Sequence, residues 1–114
     1  MFKPRSWLWL LVGMGVILAA IWSYQAVILK SREATLQNNL ATMRSVIKQY
    51  TADKRRAPQS LQELVDAGYF RSLPLDPITN SRTSWKPVIG DSGITDLHSG
   101  SSSISSDGTT YSAW

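Results

Sequence analysis

The chain has 114 residues, no cysteine and a formal net charge of +4. Without cysteine, disulfides, thiolate nucleophiles and thiolate metal sites are excluded, and a lone histidine, His98, leaves no supporting cast for a His-based zinc site or a His-assisted nucleophile. The positive charge is thinly spread: Lys3 and Arg5 lie near the start, bases and acids from Lys30 onward nearly balance, and the basic run Lys54-Arg55-Arg56 has no interleaved aromatic, so it reads as a solvated turn rather than a nucleic-acid surface.

No charged residue occurs between Trp7 and Leu29, and the apolar run is interrupted only by Gly13, Gly15 and the polar trio Ser23-Tyr24-Gln25. Roughly 20 helical residues at about 1.5 Å rise cross a hydrocarbon core of about 30 Å, so the segment predicts a membrane-spanning helix. Trp7 and Trp9 at one end, with Trp22 and Tyr24 towards the other, stand where amphipathic rings favour the headgroup boundary. A cleaved secretory signal is the competing reading, but Ala19-Ala20-Ile21-Trp22-Ser23 puts bulky groups where a signal peptidase needs small ones. Lys3 and Arg5 face Lys30 and Arg32 across the span, so charge alone does not orient it. The expected organisation is an anchor over residues 1–29 and one small domain over 30–114, since about 85 residues build one modest core and not two.

Beyond Lys30 the apolar residues Leu36, Leu40, Met43, Ile47 and Tyr50 recur at spacings of four, three, four and three. That is the stripe of a helix with one buried face. Neither Pro nor Gly lies between Val16 and Thr51, so a single helix is expected to run from the membrane into the domain and to stop near Ala52 to Arg55. Ser60-Leu61-Gln62-Glu63 reads as a capping box opening a short second helix, with Glu63 reaching back to the cap, Leu61, Leu64 and Val65 on one face and Gly68 as its stop.

Leu73-Pro74-Leu75-Asp76-Pro77 predicts a turn-rich connection, because each proline fixes its own backbone and pushes the preceding residue extended. Strands are expected over residues 84–89 and 93–98, joined through Gly90-Asp91-Ser92. A serine-rich loop over 99–106 and the turn signal Asp107-Gly108 follow. The fold class expected is α+β.

The remaining polar residues read locally. Asp76 is expected to bond backbone amides of its own turn, and Glu63 and Asp66 to form a solvated face. His98 should hydrogen-bond near its own position, and Ser99 beside it lacks the partners of a triad. Among the aromatics, Tyr50 and Trp85 are expected in the core. No acid, base and nucleophile can be placed together, so no catalytic residues and no enzyme activity are expected.

The blocks Ile17-Leu18-Ala19-Ala20, Lys30-Ser31-Arg32-Glu33-Ala34-Thr35-Leu36 and Tyr50-Thr51-Ala52-Asp53-Lys54 resemble the spine of type IV pilin-like proteins. Together with Ala57-Pro58-Gln59-Ser60-Leu61-Gln62-Glu63-Leu64, Leu73-Pro74-Leu75-Asp76-Pro77, Asp96-Leu97-His98-Ser99-Gly100 and Asp107-Gly108-Thr109-Thr110-Tyr111, the chain resembles the major pseudopilin of type II secretion systems. The resemblance implies a pilin-like fold and a structural subunit of a short periplasmic filament that helps export folded proteins. It implies a single-pass protein of the bacterial inner membrane, N-terminus cytoplasmic and domain periplasmic, whose partners are itself, other pseudopilins and the inner-membrane assembly platform. Subunit or core packing would then fall to Leu36, Leu40, Met43 and Ile47. A calcium ion, common in such C-terminal loops, would be held by Asp107 and then Asp96; the alternative is that Asp107 caps the Asp-Gly turn and Asp96 ends a strand.

One part of the family pattern departs. Aligned on Ile17-Leu18-Ala19-Ala20, Phe2 stands where the family has the glycine of its processing site and Trp7 where it has a glutamate. The chain is therefore expected to be unprocessed, with packing rather than a buried charge pair drawing the helix against others. Loss of that motif also leaves room for a membrane-tethered periplasmic binding or sensing module on a pilin-like scaffold.

Overall fold

The computed structural model describes residues 5–114, so Phe2 and Lys3 lie outside the described residues. The first helix, α1, runs Ser6–Lys54 over 49 residues. It is followed by α2 (Leu61–Asp66), the strands β1 (Lys86–Gly90) and β2 (Gly93–His98), and a single 3-10 turn, Tyr111–Ala113. This is an α+β chain. Its contacts divide it after Ser31 into two units.

The first unit is helical from Ser6, and none of its apolar window is buried within the chain. By length and composition this helix could cross a membrane. Its exposed Trp9, Leu10, Ile17 and Trp22 are the side chains that water disfavours most and lipid accepts.

In the second unit, Arg32–Trp114, α1 turns one side to a core. Leu36, Leu40, Met43, Ile47 and Tyr50 are all buried and pack with Leu64 of α2, with Trp85 just before β1, with Ile94 and Leu97 of β2, and with Tyr111. The four-three spacing produces this directly, because those residues fall on one face of a 3.6-residue turn. The helix stops at Lys54, and Arg55 takes a left-handed φ of 55°.

Ser60 caps α2, its hydroxyl accepting from the Glu63 amide at 3.1 Å. The Glu63 carboxylate does not return to the Ser60 amide as expected. It accepts from the Gln59 amide, one residue earlier, at 2.7 Å. The reason is that its other oxygen is claimed by the Tyr50 hydroxyl at 2.5 Å and the Arg56 guanidinium at 2.8 Å, which hold the carboxylate over the chain leading into α2. Glu63 is thus a tie between α1 and α2 rather than part of a solvated face. Gly68 follows the helix with φ +85°, and Tyr69 N–H closes back on Leu64 O at 2.9 Å.

The two strands form an antiparallel pair with Lys86 opposite His98, Pro87 opposite Leu97 and Gly90 opposite Gly93, with a shift in register between Val88 and Ile89. β1 begins two residues later than the sequence suggests. Ser84 and Trp85 are engaged elsewhere: the Ser84 hydroxyl shares a hydrogen bond with Thr79, and the Trp85 indole donates to Pro74 O at 2.9 Å. Ile94 N–H donates to Pro58 O at 2.8 Å, seating β2 on the α1–α2 connection. Gly93 allows that approach, since a Cβ there would stand 2.6 Å from Pro58 O and its φ is +137°.

Candidate functional site

The polar chemistry of the second unit gathers where its C-terminal segment meets α1. Glu33 falls three residues before Leu36, at the head of the apolar stripe, and is only 7% exposed. One carboxylate oxygen accepts from the Ser106 amide at 2.7 Å and the Tyr111 hydroxyl at 2.8 Å, the other from the Ser106 hydroxyl at 2.5 Å. Burial pushes the Glu33 carboxyl upward, but the bonds from Ser106 and Tyr111 together more than offset it, so its pKa lies below the ordinary glutamate value. Burial and the same carboxylate push the Tyr111 hydroxyl up to about 12.

About three turns along α1, Arg44 makes a second fastening. Its Nε donates to Asp96 Oδ1 at 2.7 Å, and its Nη2 donates to Leu97 O and Trp114 O, each at 2.9 Å. Asp96 is pushed up by burial, yet the guanidinium and its own neighbouring amide hold it below the usual aspartate value. His98 Nδ1 meets the same Trp114 O at 2.5 Å. The histidine therefore bonds far along the chain, not near its own position as its sequence context suggests. Arg44, Asp107, Gln37 and Trp114 line a shallow depression of about 340 Å³.

Asp76 is fully buried and reaches further than a turn residue. Its Oδ1 accepts from the amides of Ile78 and Thr79, as a turn aspartate should. Its Oδ2 accepts from the Ser99 hydroxyl at 2.7 Å and the Gly100 amide at 3.2 Å, joining the proline-rich turn to the serine-rich loop. Four donors around one buried carboxylate offset its desolvation.

Asp107 stays within its own turn. It accepts from the Ser105 hydroxyl, and its Oδ1 also takes the Thr109 amide at 3.0 Å and hydroxyl at 2.6 Å. The Ser105 and Thr109 bonds draw its carboxyl down to about 2. A calcium ion takes six to eight oxygen ligands at about 2.3–2.6 Å. Here the bonds fall on one oxygen of each carboxylate, Asp96 Oδ1 taking Arg44 and the Leu97 amide and Asp107 Oδ1 taking Ser105 and Thr109, and among the described residues no three acidic or histidine side chains group together. Asp107 bonds within its own Asp-Gly turn, and Asp96, inside β2, is ion-paired with Arg44.

Leu36, Leu40, Met43 and Ile47, the packing residues read from the sequence, are consumed by the core of their own unit. The face of α1 left exposed there carries Ala34, Gln37, Asn38, Ala41, Ser45 and Lys48. Sequence reasoning passed over Glu33 and Arg44 as bonding partners. Glu33 had a signal, since an acid in register with an apolar stripe demands a buried partner; Arg44 had none, because its acceptors are 52 to 70 residues away. In comparisons with known proteins, no family model, no curated protein and no solved structure matches the chain.

Proposed function

We propose that the chain is a pilin-like structural protein, of the kind of the major pseudopilin of type II secretion systems. It packs helix to helix in a short periplasmic filament that helps export folded proteins. In this reading residues 1–29 anchor it in the bacterial inner membrane, N-terminus cytoplasmic, and residues 30–114 form the periplasmic domain. Its partners are further copies, other pseudopilins and the inner-membrane assembly platform, and it carries no catalytic activity.

The observation that supports this most is the division of labour along α1. Its first unit exposes apolar side chains all round, which suits lipid. Its later turns bury one stripe and leave a face where the small residues Ala34, Ala41 and Ser45 stand among polar ones, so that two helices can come together closely at them. A tether and a packing face on one helix are what a filament of parallel subunits needs.

The absence of cysteine makes the test clean. The A34C/A41C chain, full length and oxidised in native membranes, should give a disulfide-linked ladder of homo-oligomers. A chain that stays monomeric would instead be the membrane-tethered binding or sensing module.

A further inference from the structure

Of the eight acidic side chains in the sequence, seven are committed within the described residues: Glu33, Asp76 and Asp107 to the C-terminal segment and its turns, Asp53 to Tyr69, Glu63 to Tyr50 and Arg56, Asp66 to Gln62, and Asp96 to Arg44. Asp91 is the exception, with no hydrogen bond or ion pair. It stands exposed at the tip of the β1–β2 hairpin, two residues after Ile89, which is 66% exposed. The tip is held out as a defined shape: Gln59 Nε2 donates to Ser92 O at 2.8 Å, and Gly93 packs against the α1–α2 connection.

The same unit carries the complement. Between α2 and β1 lies a groove of about 330 Å³ whose walls include Leu61, Leu73, Trp85, Arg82 and the hairpin's own Ile89. Past Leu73 and Arg82 it continues into a second depression that adds Arg71. No acidic side chain lines either part. Arg82 gives one donor to Leu73 O at 2.6 Å and meets no carboxylate, and Arg71 is exposed with no bond at all.

From this we infer that the hairpin tip of one copy docks at the Arg71–Arg82 end of the groove of the next, with Asp91 on the arginines. Asp91 forms no ion pair with Arg71 or Arg82 of its own chain, so one copy does not satisfy itself. A head-to-tail contact between two different patches does not close on itself as a two-fold pair would, and it propagates through successive copies. The charge pair sets register and direction, while the tether supplies the effective concentration that makes a small contact count. This deepens the filament reading and rests on it for the presence of neighbouring copies.

Cysteines at Ser72 and Ser92, both exposed and beside rather than at the charged residues, test it in the full chain reconstituted in vesicles. Oxidation of the S72C/S92C chain should give a ladder of dimers, trimers and longer species. In that background Asp91→Lys or Arg71→Glu should each cut the ladder about tenfold, and the double charge swap should restore it. The Ala34 and Ala41 cysteines serve as the separate readout of helix packing. Crosslinking on α1 without a Ser72–Ser92 ladder would overturn this contact and leave the filament standing. No crosslinking at either pair would overturn both. A dimer from S92C alone at the full yield, or a ladder indifferent to both charge reversals, would also overturn it.

Discussion

At the residue scale, Glu33 is the single side chain whose loss reaches furthest. Replacing it with Ala leaves the Ser106 amide and the buried Tyr111 hydroxyl without their acceptor, which should cost about 1–3 kcal/mol in urea unfolding. Glu33→Gln keeps the shape and one acceptor, and should cost less. The sign of the pH dependence follows from the lowered folded-state pKa. The stability contributed by Glu33 is fully present above the unfolded glutamate value and is lost as pH falls through the folded one. Asp53, Glu63, Asp96 and Asp107 are lowered as well, so stability should fall steadily on acidification below about pH 4.5, with the Asp107 part surviving until about pH 2. Unfolding curves collected from pH 7 to pH 2 should show a shallower acid limb for Glu33→Gln than for the parent chain.

At the scale of elements, short pieces are held by specific approaches rather than by their own length. Two strands and a six-residue helix are too small to stand alone. They persist because α1 supplies a wall and because a few backbones come unusually close. Gly100 is the sharpest case: a Cβ there would lie 2.1 Å from Ser84 O, a contact that only backbone movement relieves. Gly100→Ala should therefore pull the serine-rich loop off Asp76 and destabilise the domain by about 1–3 kcal/mol, read from the urea midpoint. Gly108→Ala meets no neighbour, so its cost should be confined to its φ of +88°.

For the whole molecule, the two units call for opposite responses to the same substitution. Leu40 is 2% exposed and packed in the core, so Leu40→Ala should cost about 2–5 kcal/mol. Leu18 is 51% exposed, and Leu18→Ala should leave the thermal midpoint of the domain unchanged while weakening partition into bilayers. A shift in both midpoints would mean that the apolar helix is part of the domain core after all.

Residue periodicity and composition determined much of this protein unaided. The apolar run, the four-three stripe, the stop near Lys54, the Ser60 cap and the two strands around Asp91 all depend on neighbours within a few residues, so local chemistry specifies them. What it could not specify were the partners of isolated polar groups: Asp76 with Ser99, Arg44 with Asp96 and Trp114, His98 with Trp114, and Glu33 with Ser106 and Tyr111. Those pairings join positions 16 to 78 residues apart, and their geometry exists only once the core has brought the C-terminal segment back onto α1. The late start of β1 has the same origin, since Trp85 looks like a strand residue until its indole finds Pro74 O across the loop. Local sequence sets which backbone each segment prefers, whereas the fate of a charge depends on what packing leaves beside it, and that is decided only by the tertiary structure.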